Sequence, residues 1–255
     1  MKNILAICEK ELKSYFSSPI AYLAMAMFAI LFGFFFWNAV GYFVSISVQS
    51  VAMGRSFPMD LNEMIVRPLL LNTSVIGLFL IPMIAMRLFA EEKRSGTIEL
   101  LLTSPVHDAE IVIGKWLAAL ALYGALLLIS LANIGFLFLY GKPDWQPLAA
   151  GYLGLILQAG ALLALGAFIS TLTKNQIIAG ITTFAVCLLL WVFEWVGGYE
   201  TAVWAKAMAY MSVVSHFEPF AKGVIDSKDA VYFLSLIFLG LFLSVRSLES
   251  LRWRS

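Results

Sequence analysis

Six long apolar runs constrain the fold of this chain more than any other feature of its sequence. They cover approximately residues 20–43, 69–89, 111–140, 148–172, 177–195 and 230–245. About 20 apolar residues in a helix, at 1.5 Å per residue, cross the hydrocarbon core of a bilayer. With 61% hydrophobic and only 13% charged residues, the chain also has too little polar material to cover a soluble core. The sequence therefore predicts an all-α polytopic membrane protein with six transmembrane helices in a single domain, 1–255.

The segment before the first run, residues 2–18, predicts an amphipathic helix that lies in the membrane interface. Glu9 and Lys13 are spaced to pair on its polar side, and Pro19 ends it. A plain cytoplasmic tail is the alternative. The apolar stripe consists of Ile4, Cys8, Leu12 and Tyr15, flanked by Leu5 and Phe16.

Two segments between the runs are too polar to span a membrane. Residues 44–68 predict a loop in which Asp60 and Glu63, at the spacing of a capping box, begin a short surface helix. Residues 196–229 alternate apolar and charged side chains, including His216 and Glu218. This pattern predicts amphipathic helices in the outer interface.

The distribution of basic residues predicts the orientation. With the N-terminus in the cytoplasm, 11 of the 17 Lys and Arg residues fall in inside segments and 6 in outside segments. Because cytoplasmic segments are enriched in Lys and Arg, both termini and residues 91–105 are expected on the cytoplasmic side.

The chain lacks the motifs of an enzyme or of an ion-driven carrier. It contains no phosphate-binding loop and no nucleophile elbow, so we expect no catalytic residues, and any ATP is bound by another chain. The centres of the six runs carry no ionisable residue of the kind that marks proton or ion pathways. His107, Asp108 and Glu110 resemble a metal cluster, but acids in a first helical turn have an ordinary explanation in the helix dipole. We expect no metal site, no bound cofactor and no nucleic-acid partner, and the two cysteines cannot make a disulfide framework.

Residues 91–105 form the densest cluster of charges in the chain. Arg87 and Glu91 are spaced to pair at i, i+4, which predicts that the second transmembrane helix continues beyond the membrane surface. Pro82 inside that helix predicts a kink. A solvated inside loop is the plain alternative for 91–105.

A second, short helix is predicted after the glycine of this stretch. Gly96 turns the chain, and Ser95 or Thr97 can cap the new helix. Large aliphatic residues then recur at helical spacing until Pro105 stops the helix. A loop in contact only with water does not need such a face, so the helix either returns to the membrane or fills a groove on a partner.

Residues 92–105, with the sequence EKRSGTIELLLTSP, resemble the signature that follows the second span in ABC-2 type transporter permeases. The resemblance extends to the N-terminal helix, the six spans and the amphipathic segment between the fifth and sixth. Residues 17–22 and 216–226 are most similar to the branch that contains the gliding-motility permease GldF and the nitrous-oxide-reductase accessory permeases.

The resemblance implies a permease subunit of the bacterial cytoplasmic (inner) membrane that pairs with a second permease subunit, identical or different. A separate cytoplasmic ABC ATPase subunit would bind ATP and Mg²⁺ and dock on a coupling helix. The residues implied to contact it are Glu92, Arg94, Gly96, Thr97, Glu99, Leu100, Leu101 and Leu102.

Three classes of function compete. The leading one is the membrane part of an ATP-driven exporter, or of a machine that transmits ATP energy across the membrane. A non-transporting scaffold that anchors a cytoplasmic protein is the alternative, and a membrane enzyme would need a polar cluster that the sequence does not contain. The substrate does not follow from the sequence.

Overall fold

The structure is a computed structural model that describes residues 2–54, 60–99, 106–141, 143–199 and 203–252; the side chains of residues 20 and 196–199 are outside this description. All regular elements within those ranges are helices. The α-helices are α1 (Lys2–Ser17), α2 (Pro19–Ala52), α3 (Arg67–Ala85), α4 (Ala90–Ser95), α5 (Asp108–Tyr140), α6 (Trp145–Leu172), α7 (Gln176–Tyr199), α8 (Val203–Tyr210), α9 (Val213–Ala221) and α10 (Ser227–Arg252).

Six helical segments in the described residues are long and apolar enough to cross a membrane: Ala21–Ala52, Asn62–Ser95, Asp108–Tyr140, Trp145–Leu172, Gln176–Trp195 and Ser227–Arg252. They confirm the predicted all-α membrane fold with six spans. The most buried spans are the second, which contains α3 and α4, and the fourth, which is α6. The least buried spans are α2, α7 and α10. The bundle is therefore built around α3 and α6.

Helix α6 packs closely on α10, where small residues let the two backbones approach. A Cβ atom added at Gly240 would lie 2.6 Å from the carbonyl carbon of Ala164. Gln158 of α6 also exchanges hydrogen bonds of 2.7 and 2.9 Å with the hydroxyl group of Ser74 on α3. The small residues around Ala164 and the hydrogen bonds of Gln158 thus both serve packing within one subunit.

The first long helix extends further than expected. Helix α2 continues to Ala52, so the prediction that residues 44–68 form a loop is wrong for its first part. The serines of this region do not interrupt the helix, because their hydroxyl groups donate to carbonyls three residues back in the same helix. Ser45 donates to Tyr42, and Ser50 to Ser47, each at 2.8 Å.

The short surface helix expected after Asp60 is instead a partly buried π-helix, Asn62–Val66. The Asp60 carboxylate accepts from the N–H of Asn62 at 2.8 Å, as a cap does. Glu63 does not complete a capping box but pairs with Arg67 at 2.8 Å. Ile65 and Val66 are buried, so apolar packing outweighs the surface position expected for this turn.

Helix α1 lies against α5. The apolar stripe that was predicted for α1 faces the bundle, with Tyr15 buried, whereas Leu5 and Phe16 remain exposed. Gly114 of α5 makes this approach possible, because a Cβ atom there would lie 2.9 Å from the Ile7 side chain and 3.1 Å from the carbonyl oxygen of Ile4.

Candidate coupling site

The second span resumes as helix in α4, as predicted, but a turn interrupts it. Helix α3 ends at Ala85, three residues after Pro82, and a turn of residues 86–89 precedes α4. Phe89, the residue before α4, has φ −130° and ψ −30°, which is neither helical nor extended. The kink at Pro82 itself stays a prediction, since the break in the helix lies after it.

Ser170 of α6 supplies the hydrogen bonds that this interruption removes. Its hydroxyl oxygen accepts from the backbone N–H groups of Phe89 and Ala90, each at 3.0 Å. The same hydroxyl donates to the carbonyl of Met86 at 3.3 Å. Because Phe89, Ala90 and Ser170 are completely buried, no water is available to satisfy these groups. One side chain therefore holds the break between α3 and α4 in a defined geometry.

Helix α4 ends where the sequence predicts. Gly96 has a φ of +74°, the left-handed conformation that favours glycine at a helix end. The Ser95 hydroxyl lies 2.9 Å from that of Thr97 and donates to the Glu91 carbonyl at 3.0 Å. Residues 98–99 resume a helical conformation. The rest of the predicted contact, Leu100, Leu101 and Leu102, lies outside the described residues.

The predicted contact residues occupy different faces of this segment. Arg94, Gly96, Thr97 and Glu99 are exposed. The Glu92 side chain is only 15% exposed and turns toward the bundle. Arg94, Gly96 and Thr97 can be reached by a partner from outside the chain, whereas Glu92 is committed to a contact within it.

Lys115 of α5 is the partner of Glu92. Its ammonium nitrogen lies 2.9 Å from Glu92 Oε1 and 3.0 Å from Glu11 Oε1 of α1. It also lies 5.5 Å from the ring centroid of Phe89, within the range of a cation–π interaction. One lysine thus joins α1, α4 and α5.

Lys115, Glu92 and Glu11 form a charged triad that is largely shielded from water. The Lys115 side chain is 2% exposed, and Tyr15 beside it is buried, which together with the charge of Glu11 raises the pKa of the Tyr15 hydroxyl. Glu92 Oε2 is buried with no hydrogen-bond partner among the described residues. Removing one member of a buried ion pair costs about 3–5 kcal/mol, because the remaining charge stays buried without compensation. The three elements therefore move together or lose this contact.

Arg87, in the turn before α4, makes a second link to the N-terminal region. Its guanidinium donates to both Glu91 carboxylate oxygens, at 2.8 and 3.2 Å. It also donates to the Ser18 hydroxyl at 3.2 Å. The predicted Arg87–Glu91 pair is therefore confirmed, but it spans the break between α3 and α4 instead of extending a continuous helix.

The opposite end of the bundle holds the predicted outer segment, which forms α8 and α9. His216 is buried, with Nδ1 at 2.6 Å from Asp229 Oδ1 and Nε2 at 2.8 Å from the Tyr210 carbonyl oxygen. Its ring stacks on Tyr232 at 3.9 Å between centroids. His216 thus fastens α8 and α9 to the last span.

Glu218 occupies a charged cluster at the same end. It accepts from Arg67 at 2.8 Å and lies 2.9 Å from Lys222 Nζ. The hydrogen bonds with Lys222 and Arg67 lower the pKa of the Glu218 carboxyl group. Glu218 therefore ties α9 to the start of α3.

Four residues that make these contacts were missed from the sequence. Glu11, Lys115 and Ser170 pair with residues far away in the chain, and Asp229 pairs with His216, 13 residues before it. Lys115 gave a usable signal, because a lysine within the first turns of an apolar helix requires a partner. The hydroxyl of Ser170 gave none.

The geometry is that of a helical membrane subunit with an exposed turn at one end, tied to its N-terminal helix and third span. The family described as ABC-2 family transporter protein matches residues 5–241. The chain belongs to this family. Its members are the membrane components of ABC transporters, and with six apolar helices this chain is an integral membrane protein.

Two curated relatives carry the description probable multidrug ABC transporter permease YbhR, from Escherichia coli K12 and from Escherichia coli O157:H7. Each is 25% identical to this chain over 175 residues, which cover 65% of this chain and 44% of the relative. The chain thus spans less than half the length of these relatives.

Proposed function

We propose that this ABC-2 family chain is the permease subunit of an ATP-driven exporter, coupled to a separate cytoplasmic ATPase subunit. The ATPase would bind ATP and Mg²⁺, and this chain would carry no catalytic residue. One observation carries the proposal: the exposed turn at Gly96 and Thr97 continues directly from α4, whose Glu92 is paired with buried Lys115. A force on the turn therefore reaches a transmembrane helix.

The ion pairs of Lys115 with Glu92 and Glu11 would transmit this force between the helices. If ATP moves the partner, α4 is displaced, and Glu92 must carry Lys115 and Glu11 with it or leave charges buried and unpaired. Helix α3 meets α4 at the break that Ser170 bridges by hydrogen bonds. This break would serve as the hinge for the displacement. The motion would thus pass to α1, α3 and α5 together.

The contact residues divide into two roles under this proposal. Arg94, Gly96, Thr97 and Glu99 would contact the ATPase subunit, together with the Leu100–Leu102 run predicted from the sequence. Glu92, which the sequence also assigned to that contact, becomes a positioning residue that acts through Lys115.

The remaining features of the proposal follow from family resemblance and charge distribution. The complex would contain a second permease subunit, identical or different, in the bacterial cytoplasmic membrane with both termini in the cytoplasm. Helix α1, with Leu5 and Phe16 exposed, would rest on the membrane interface. The similarity of residues 17–22 and 216–226 supports the gliding-motility and nitrous-oxide-reductase accessory branch, in which the output is mechanical work or export.

The experiment is to express the chain in its host, to identify any ABC ATPase that copurifies with it, and to measure ATP hydrolysis of the complex in lipid nanodiscs. Arg94→Glu combined with Thr97→Trp should abolish copurification, whereas Lys115→Met should retain copurification and lose the stimulation of ATP hydrolysis. Lys206→Glu is the matched control, because Lys206 is exposed on α8 at the opposite end of the bundle, away from the turn and from the triad. Unchanged assembly and stimulation in the Arg94 and Thr97 double variant would overturn the proposal.

A non-transporting scaffold is the second candidate, since an exposed docking turn serves an anchor equally well. The Lys115→Met variant separates the two functions. A scaffold needs the turn but no transmission, so this substitution would leave every ATP-dependent output unchanged.

A further inference from the structure

A long apolar groove runs along the outside of the bundle between α2, α3 and α7. It has a volume of about 710 Å³, and none of its ten lining residues carries a polar side chain. Met27 of α2, Phe79 of α3 and Phe184 of α7 are among them. Because it lies between membrane-spanning helices, its occupant must be apolar.

A basic cavity adjoins this groove at the end of the bundle that carries α4. It has a volume of about 410 Å³ and is lined by Arg94, Lys174, Asn175 and Ile177. Ile177 also lines the apolar groove, so the two spaces meet at this residue. A basic cavity and an apolar groove therefore lie next to each other, with Ile177 in the lining of both.

The two cations of this cavity are uncommitted. Neither Arg94 nor Lys174 has an ion-pair partner in the ranges that the structure describes. Lys93, the neighbouring cation, is already occupied, because its ammonium group donates to the carbonyl of Thr171. Three positive charges are thus gathered at one place, and the two that face the cavity lack a counter-ion within the described chain.

The length of the apolar groove along α7 is comparable to the depth of one leaflet of the bilayer. Ile177 and Phe184 are seven residues apart on α7, which corresponds to about 10 Å at 1.5 Å per residue. Half of a hydrocarbon core of about 30 Å is about 15 Å. An acyl chain that enters at Ile177 would therefore lie in the groove for most of the depth of its leaflet.

We propose that this groove holds an acyl chain of an anionic phospholipid whose phosphate group is bound by Arg94 and Lys174. The cations select the negative headgroup, and the groove supplies the apolar contact that a free anion cannot use. Because Arg94 lies on α4, the bound lipid would also join α4 to the α6–α7 turn. The inference goes beyond the proposed function and does not depend on an ATPase partner.

The test is native mass spectrometry of the purified full chain with equal amounts of phosphatidylglycerol and phosphatidylethanolamine of the same chain length. The chain should retain phosphatidylglycerol in preference. The double variant Arg94→Gln and Lys174→Gln should lower that retention by about tenfold or more, since each basic side chain near an anionic surface contributes about fivefold. The pair Lys206→Gln and Lys228→Gln changes the net charge equally at the opposite end of the bundle and should not lower the retention.

A second pair of variants tests the groove. Ile181→Trp places a large side chain in it, whereas Ile178→Trp alters a residue of similar exposure on the same helix, 54% against 65% for Ile181, outside the groove lining. Retention of phosphatidylglycerol should fall in the first variant only.

Three results would overturn the inference. Equal retention of the two lipids would remove the role of the cations, and release of the lipid by millimolar inorganic phosphate would indicate a site for a free anion. Disulfide crosslinking of two chains through Ile181→Cys, with Cys8 and Cys187 replaced by Ser, would show that a second copy covers the groove.

Discussion

Lys115 of α5 and Glu92 of α4 form a buried ion pair of 2.9 Å in which the lysine side chain is 2% exposed. The pair joins a short helix at the end of the bundle to a helix that crosses it. Because Glu11 of α1 meets the same ammonium group at 3.0 Å, the contact has three members. A buried charge with two partners is costly to form and more costly to disrupt in part, which makes it a sensitive point for mutation.

Lys115→Met should lower the free energy of unfolding by about 3 kcal/mol, at the lower end of the range for a broken buried ion pair, because Glu92 loses its counter-charge and Glu11 keeps only the exposed Lys10 at 3.7 Å. Unfolding of the detergent-solubilised chain by dodecyl sulfate measures this loss. Combining the substitution with Glu11→Gln and Glu92→Gln should recover most of it, since no net charge is then buried. A loss as large in the triple variant as in the single one would contradict the electrostatic explanation.

Ser170→Ala should lower the free energy of unfolding by about 1–3 kcal/mol, the cost of buried N–H groups left without acceptors. The N–H groups of Phe89 and Ala90 both lose their partner. Hydrogen exchange should therefore accelerate at residues 86–90 before it does elsewhere.

Ser244→Ala is the control for this prediction. Its hydroxyl is also buried, but it donates only to the carbonyl of Gly240 in its own helix, so its removal leaves no backbone N–H without an acceptor. Equal losses in the two variants would show that Ser170 has no special role at the break.

The contribution of Glu218 to stability should depend on pH. Hydrogen bonds from Lys222 and Arg67 lower its pKa below the ordinary value of 4.5. A lowered folded-state pKa gives stability that is present above the unfolded-state pKa and is lost as pH falls through the folded value. Glu218→Gln should therefore be less stable than the natural chain at pH 7, and the difference should shrink below about pH 4.5. Unfolding measured in parallel at pH 7 and pH 3 checks this, and a constant difference would contradict it.

The sequence predicted the helices better than the contacts between them. Hydrophobic length alone gave the six spans, because backbone groups in a bilayer must be satisfied within a helix. The end of α4 was also predictable, since Gly96 adopts the left-handed conformation that glycine favours. The contact of Glu92 with Lys115 could not be predicted, because the two residues are distant in the chain and only packing brings them together.

The break before α4 marks the limit of local reasoning most clearly. Spacing correctly paired Arg87 with Glu91, but that pair is compatible with both a continuous and an interrupted helix. The choice depends on Ser170, a residue in another span with no distinctive sequence context. Similarly, the first part of the expected loop, residues 44–52, is helical because Ser45 and Ser50 satisfy their hydroxyl groups within α2.

Gly240→Ala should destabilise the bundle by about 3 kcal/mol or more, at the upper end of the range for overpacking a core. The added Cβ atom would lie 2.6 Å from the carbonyl carbon of Ala164 and 2.8 Å from its carbonyl oxygen. These are backbone atoms, so side-chain rotation cannot relieve the contact and α10 must move away from α6.

Gly135→Ala is the control, because a Cβ atom there meets nothing within 4 Å and alanine has the higher helix propensity. Adding Ala164→Gly should not rescue Gly240→Ala, since it removes a side chain and leaves the backbone clash. Rescue in that double variant, measured by dodecyl sulfate unfolding, would mean that the two helices are held apart by side chains and not by their backbones.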